Sequence, residues 1–296
     1  MIDERGRAAV LTEVSLILAA VFWGLNFVVT KYAADFLPPL IVVALRFATG
    51  GLLLLGILKL LEPEGKKLAR RDVLPMLGLG CFGIGAAQTA FTFGVSMTSA
   101  ASAGLVFATA PVWGILLGLV LGRERPTSRG VLGIGLSILG VGMVFYGGSS
   151  GTGGDSLAGN LLALLAAVGI GAYAVFSLPL LDRYSPLAVA TYSVLSGTLA
   201  ILLASLPFFA SVRWEGVGFG LWAAIAYSGI FATSFAFAGW QRGISRIGAN
   251  RVLVYQYLIT LTAVTAGVVL LGESFGINKF LGGGIILVGV YLARRQ

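Results

Sequence analysis

The stretch Leu119-Val120-Leu121-Gly122-Arg123-Glu124 returns later in the chain as Val268-Val269-Leu270-Leu271-Gly272-Glu273, with the two glutamates 149 residues apart. Downstream of it, three more residues match at the same offset: Gly133, Gly140 and Val141 correspond to Gly282, Gly289 and Val290. A second correspondence, at an offset of 147, joins the beginnings of the two halves: Ala19-Ala20-Val21 matches Ala166-Ala167-Val168, and Pro39-Leu40 matches Pro186-Leu187. The chain therefore contains one unit twice, and we divide it into 1–148 and 149–296.

The composition indicates whether these units fold in water or in a lipid bilayer. Apolar residues make up 57% of the chain and charged residues only 11%, and the mean hydropathy is +0.96. Soluble proteins carry about 25% charged residues. A chain of this length cannot hide so much apolar surface in a soluble core, so we predict an all-α integral membrane protein.

Apolar stretches of membrane-spanning length occur ten times, five in each unit. Because five is odd, the second unit must enter the membrane from the opposite side, and the two five-helix repeats are predicted to be inverted. The predicted spans are 12–31, 40–58, 73–94, 101–121, 130–147, 158–181, 187–208, 217–240, 252–271 and 280–293.

The basic residues orient these spans. If the N-terminus is cytoplasmic, sixteen of the 20 Lys and Arg residues lie inside; only Lys31, Arg213 and Lys279 lie outside, and Arg46 lies within a span. This asymmetry accounts for the net charge of +8 without a nucleic-acid partner. We expect a multi-pass protein of the plasma membrane, in bacteria the inner membrane, with both termini in the cytoplasm.

Several motifs resemble the drug/metabolite transporter superfamily. Ala110-Pro111-Val112-Trp113 precedes Leu121-Gly122-Arg123-Glu124-Arg125, and the opening Trp23-Gly24-Leu25-Asn26-Phe27 precedes Leu45-Arg46-Phe47, as in an EamA-type repeat. The resemblance implies a ten-helix exporter of amino acids, aromatic ones in some members, or of related metabolites. The second unit departs from the opening pattern, because Ile170, Tyr173 and Ser193 stand at the positions of Trp23, Asn26 and Arg46.

Polar side chains within spans are the candidates for a substrate site, since they are costly in lipid and tend to face a cavity or another helix. Residues three or four apart share a helix face, as Trp23 and Asn26 do. Aromatic surfaces with a few amides and hydroxyls suit an amphiphilic solute. Alternatively, these groups only join helices by hydrogen bonds. The predicted substrate-binding residues are Trp23, Asn26, Arg46, Gln88, Thr92, Tyr173, Phe176, Ser234 and Gln256.

Arg46 is the only charged residue well inside a span. It could bind a substrate carboxylate, extend to the membrane surface, or pair with Asp35. No acidic residue is predicted at mid-membrane, so the usual proton-relay carboxylate is missing. Uniport or exchange down a gradient is compatible with this, and coupling through carboxylates nearer the membrane surface is the alternative.

Glu124, Glu273 and Pro111 are candidates for gating, or else for ordinary loop and helix structure. Each glutamate has basic neighbours in the sequence: Arg123 and Arg125 for Glu124, and Lys279 for Glu273.

The residue types limit the remaining function classes. The chain has no histidine and one cysteine, Cys81. The usual zinc, haem and iron–sulfur ligand sets are therefore missing, and we expect neither a metal nor a cofactor. No catalytic constellation is recognisable. A secondary transporter working by alternating access is favoured over a membrane receptor or scaffold subunit and over an intramembrane lipid-modifying enzyme. The small-residue stripe Gly114, Gly118 and Gly122 favours packing within a monomer over a homodimer seam.

Overall fold

The computed structural model describes residues 4–122, 127–148, 155–212, 214–215, 217–248, 252 and 255–294. All regular structure within these ranges is helical, as expected of a chain that must satisfy its backbone hydrogen bonds in lipid. We number the helices in chain order: α1 Glu4–Ala34, α2 Pro39–Leu61, α3 Arg70–Met97, α4 Ala100–Val120, α5 Ser128–Gly148, α6 Leu157–Leu181, α7 Pro186–Phe209, α8 Phe219–Ile247, α9 Tyr255–Leu271 and α10 Ile277–Arg294.

Eight of the described helices, α1 to α8, are long and apolar enough to cross a membrane. The prediction of an all-α membrane protein is confirmed at this level. The two remaining helices are apolar but shorter. The 17 residues of α9 rise about 25 Å, slightly less than the roughly 30 Å hydrocarbon core. Ten spans therefore stay a prediction.

Three helices depart from regular α geometry. α3 contains a π-helical segment at Leu79–Ala86, and α8 contains one at Ser228–Phe235. The two segments begin 149 residues apart, the same offset that separates Glu124 and Glu273. α4 is interrupted at Ala108–Thr109, between the α-helical parts Ala100–Phe107 and Ala110–Val120, so that Pro111 lies in the first turn of the second part, where its missing N–H costs little.

The helices pack in corresponding pairs. α1 packs against α8 and α9, and α6 packs against α3 and α4. α2 packs against α7 and the π segment of α8, while α7 packs against α2 and the π segment of α3. If helix n of the first unit corresponds to helix n + 5, each of these contacts between the units has its counterpart among them.

The repeated glycines lie at the closest of these contacts. α5 and α10 pack together where Gly133 faces Gly289 and Gly140 faces Gly282. A Cβ built on Gly289 would lie 2.6 Å from the carbonyl oxygen of Gly133. Such small surfaces allow two backbones to approach closely in a solvent that gives helices no hydrophobic drive to associate.

The predicted stripe on α4 is split between two roles. A Cβ on Gly114 would lie 3.5 Å from the carbonyl oxygen of Gly171 in α6, so this glycine packs within the monomer. Gly122 follows the end of α4 with a φ of +66°, and Gly272 follows the end of α9 with a φ of +64°. Both conformations favour glycine as the residue that terminates a helix.

Candidate functional site

A central cavity lies among seven helices, α1 to α4, α6, α8 and α9. The cavity is small, with a volume of about 40 Å³. A solute of amino-acid size therefore requires the surrounding helices to move apart. The cavity is lined by Trp23, Asn26, Phe27, Arg46, Gln88, Phe91, Phe107, Ile170, Ala232, Phe237, Trp240 and Gln256.

Arg46 brings a positive charge to this cavity. Its side chain is buried, with the residue only 2% exposed, and its Nη1 donates to Thr30 Oγ1 at 3.3 Å. Its Nη2 donates to the amide oxygen of Gln88. The Nε group is buried and has no acceptor among the described residues. The guanidinium therefore neither pairs with Asp35 nor extends to the membrane surface.

The other polar groups of the cavity bind the irregular parts of the helices. Ser228, at the start of the α8 π segment, donates to Asn26 Oδ1 at 2.7 Å. The indole N–H of Trp23 donates to the carbonyl oxygen of Ala232 in the same segment at 2.7 Å. The amide of Gln256 donates at 3.5 Å to the carbonyl oxygen of Phe107, next to the break in α4. The departures from α geometry thus expose carbonyl groups beside the cavity.

Aromatic rings form two groups around these polar side chains. In the first, Trp23 contacts Trp240, with ring centroids 5.0 Å apart, and Phe237, at 5.3 Å. The second group is a mutually packed trio of buried phenylalanines on α1, α3 and α4. Its members are Phe27, Phe91 and Phe107, with centroids 4.8 to 5.8 Å apart.

Five of the nine predicted substrate-binding residues line this cavity: Trp23, Asn26, Arg46, Gln88 and Gln256. Two others form hydrogen bonds with backbone carbonyl groups, Thr92 within its own helix and Ser234 with α2. Thr92 Oγ1 donates to the carbonyl oxygen of Gln88 at 2.8 Å, and Ser234 Oγ donates to that of Gly50 at 2.9 Å.

Tyr173 and Phe176 line a different space, an apolar groove between α3 and α6 with a volume of about 580 Å³. Tyr173 is buried at its wall. Its hydroxyl is 3.0 Å from Ser193 Oγ and accepts from Gln241 Nε2 at 2.7 Å. Phe176 is 46% exposed on the outer surface.

The sequence analysis did not select most of the aromatic lining. The helical spacing that joined Gln88 to Thr92 also joins Gln88 to Phe91, so the signal was present there. The repeat offers a second signal, because Phe237 stands 149 residues after Gln88. Phe107 lies at the break in α4, which helical periodicity does not predict.

A charged cluster lies at the end of the bundle where α1 finishes. We call it the Glu273 cluster; it comprises Lys31, Ser99, Asp155, Glu273 and Lys279. Glu273 is 3.2 Å from the ammonium of Lys31. It also accepts the first backbone N–H groups of α4, from Ala100 at 2.8 Å and from Ala101 at 3.0 Å. A carboxylate at a helix N-terminus is stabilised by the helix dipole as well as by these bonds.

Lys279, the partner expected for Glu273, instead pairs with Asp155 at 2.8 Å. Their side chains are only 5% and 1% exposed. Ser99 N–H donates to Asp155 Oδ1 at 2.8 Å, and Lys279 donates to Ser99 Oγ at 3.0 Å. Burial alone raises the pKa of Asp155, but the hydrogen bonds from Lys279 and Ser99 and the charge of Lys279 outweigh it and lower this pKa to about 2.

A second polar contact joins α3 and the α6–α7 connection at the opposite end of the bundle. Asp72 binds Arg183 and accepts from the hydroxyl of Tyr184 at 2.8 Å. Nearby, Ser185 donates to Glu62 at 2.5 Å. Glu124, the repeat counterpart of Glu273, lies outside the described residues, so the gating role expected for it stays a prediction.

Within the described residues, no group of three His, Cys, Asp or Glu side chains lies close enough together to hold a metal ion. The cavity instead combines one guanidinium, several amides and aromatic rings, which can bind a small amphiphilic solute through hydrogen bonds and ring contacts.

The family model of the EamA-like transporter family matches residues 10–146 and again residues 157–295. The chain belongs to the EamA-like transporter family. It is 29% identical to an uncharacterized transporter of Archaeoglobus fulgidus over 95% of this chain and 98% of that one. A probable terminal-alkyne amino-acid exporter of Streptantibioticus cattleyicolor is 30% identical over 79% of this chain and 77% of its own. A probable amino-acid metabolite efflux pump of Salmonella typhimurium is 28% identical over 93% and 92%.

This EamA-like transporter is thus a multi-pass membrane protein and not an enzyme, in agreement with the sequence analysis. The two matches to the family model lie on either side of the boundary drawn at residue 148.

Proposed function

We propose that this EamA-like transporter is a secondary transporter that exports amino acids, aromatic ones included, or related small metabolites by alternating access. The central cavity carries this proposal. It is enclosed by seven helices, holds a buried guanidinium and three amides, and is walled by aromatic rings. The resemblance to an amino-acid exporter and to an amino-acid metabolite efflux pump supports the cargo class and the outward direction.

The second element of the proposal is that residues 1–148 and 149–296 form inverted five-helix repeats that exchange conformations. The corresponding helix contacts and the two π segments 149 residues apart support it. π-helical segments often occur at functional sites, and here Ala232 of one segment lines the cavity. Ten spans with both termini in the cytoplasm of a plasma membrane, and a monomeric transporter, complete the proposal.

The third element is a gate at each end of the cavity. The Glu273 cluster joins α1, the start of α4, the α9–α10 connection and Asp155 before α6. By the distribution of basic residues this end faces outward. The outward-facing cluster and the cytoplasmic Asp72–Arg183 contact would open alternately, with the break before Pro111 allowing α4 to bend.

Counterflow tests the proposed function. Proteoliposomes loaded with unlabelled phenylalanine are diluted into labelled phenylalanine, and then the same is done for a panel of amino acids and small organic acids. Transient accumulation of label above the level of empty liposomes is expected for at least one of them. The absence of counterflow for every solute would contradict the proposal. Repeating the measurement with and without a pH gradient tests for proton coupling.

A further inference from the structure

We infer that the central cavity recognises its cargo as a monovalent carboxylate with an uncharged aromatic or apolar body, and that a cargo amino group is dispensable. This inference rests on the proposed function and specifies the chemistry of its site. The cavity lining contains one cation, Arg46, and among its described residues no acid. The lining therefore carries a net positive charge, which favours an anionic cargo.

The guanidinium of Arg46 has five N–H groups, of which two donate in the hydrogen bonds described, so that it can still bind a further acceptor. Its Nη groups hold neutral acceptors, the hydroxyl of Thr30 and the amide oxygen of Gln88, and its Nε has no acceptor among the described residues. A buried charge without an ionic partner is costly. A carboxylate can accept two parallel N–H bonds from a guanidinium, and charge-assisted pairs of this kind are among the strongest hydrogen bonds in proteins. A cargo carboxylate would supply both the missing acceptor and the missing negative charge.

The rest of the cavity fits the body of the cargo. Phe91 lies under the guanidinium, with the Arg46 Cζ 5.6 Å from its ring centroid, and Trp23, Trp240 and Phe237 supply further aromatic surface to the lining. An ammonium group in the cargo would find side-chain amide oxygens, backbone carbonyl oxygens and ring faces, which bind a cation more weakly than a carboxylate does. It would also lie close to Arg46 in a site of low dielectric.

Four related compounds test the carboxylate and the ammonium group of the cargo separately. They are L-phenylalanine, 3-phenylpropionate, its neutral amide 3-phenylpropanamide, and phenethylamine. Each is tested as a competitor of labelled 3-phenylpropionate and of labelled phenylalanine in counterflow, and each is tested for thermal stabilisation of the purified protein. We expect 3-phenylpropionate to bind at least as tightly as phenylalanine. We also expect it to bind about 10- to 100-fold more tightly than the amide, as a charge-assisted pair provides, and phenethylamine not to compete.

The Arg46→Gln variant distinguishes recognition from a structural role. Loss of the guanidinium should reduce the acid-to-amide preference to within a few-fold, because the acid loses far more affinity than the neutral amide does. A structural role would instead weaken both compounds together, and that result would overturn the inference. Lys59→Gln removes the same charge from an exposed position on the same helix and should retain the preference. Arg46→Lys, which keeps the charge without the two-pronged geometry, should retain part of it.

The outcomes also separate this inference from the proposed function. If phenylalanine exchanges while 3-phenylpropionate neither exchanges nor competes, the protein is a transporter and the inference is wrong. Competition by phenethylamine but not by 3-phenylpropionate would refute it equally. If none of the four compounds stabilises the protein or shows counterflow, the inference fails, and the wider solute panel then decides whether the proposed function fails with it.

Discussion

Substituting glutamine for Glu273 should open the end of the cavity that we propose faces outward. In the structure this carboxylate accepts two backbone N–H groups of α4 and pairs with Lys31. An amide has one acceptor oxygen, so one charge-assisted bond is lost and the remaining interactions weaken. Such a bond contributes about 1.5–3 kcal/mol, and we expect a total loss of about 2–3 kcal/mol for the closed state. That shifts the balance between closed and open states about 30- to 150-fold toward the open one.

The assay measures how fast an externally added, membrane-impermeant maleimide labels a cysteine in the cavity. Ala232→Cys supplies a buried reporter on the lining, and Cys81→Ser removes the native thiol. Labelling in proteoliposomes should be slow in this background and at least tenfold faster when Glu273→Gln is added. Glu64→Gln is the matched control, because it makes the same change at an exposed site at the other end of the bundle. Equal or slower labelling in Glu273→Gln would refute the gating role.

Three further predictions concern the Glu273 cluster, the packing of α5 against α10, and Tyr173. Because the pKa of Asp155 is lowered to about 2 from 3.8, its stabilising contribution is fully present above about pH 4 and is lost only as pH falls through that interval. The labelling rate of Ala232→Cys, divided by that of a free thiol at the same pH to correct for thiol ionisation, should therefore be constant from pH 5 to 8; a rise of this ratio on acidification to pH 5 would contradict this. Gly140→Ala should lower the melting temperature in detergent, by the equivalent of about 1–3 kcal/mol, since its Cβ would lie 2.6 Å from the carbonyl oxygen of Gly282. Gly142→Ala is the control and should leave the melting temperature unchanged, because no atom lies within 4 Å of its Cβ. Equal melting temperatures of the two variants would be evidence against this packing. Tyr173→Phe should cost about 1–3 kcal/mol of stability, because it removes the acceptor of Gln241, but should change the KM of counterflow by less than threefold; a tenfold change would place Tyr173 at the substrate.

Helical periodicity and hydropathy were sufficient to predict the helices. Their ends agree with the predicted spans to within a few residues for most helices, because hydropathy falls there and many ends also carry a proline, a glycine or a serine cap. Pro39 and Pro186 begin α2 and α7, and Gly122 and Gly272 end α4 and α9. The π segments are different: the apolar stretch runs through them unchanged, and the neighbours they pack against, α7 for the segment in α3 and α2 for the segment in α8, are distant in the sequence.

The cavity was predictable where one helix face carried the signal. Trp23 with Asn26, and Gln88 alone, are polar or amphipathic residues on otherwise apolar helices, and all three line the cavity. Side-chain partners were harder to predict, because they depend on which helices adjoin. Lys279 is close to Glu273 in the sequence, yet Glu273 pairs with Lys31, 242 residues earlier, because α1 packs against α9. Phe176 shares a face with Tyr173, but that face lines the outer groove.

Protection of a cavity cysteine by a transported solute tests the central claim most directly. The labelling rate of Ala232→Cys in the Cys81→Ser background is measured with and without a solute that shows counterflow. If the central cavity is the transport site, saturating solute should slow labelling several-fold, with half-protection near the solute's KM. An unchanged labelling rate, in a variant that still shows counterflow of that solute, would contradict the account.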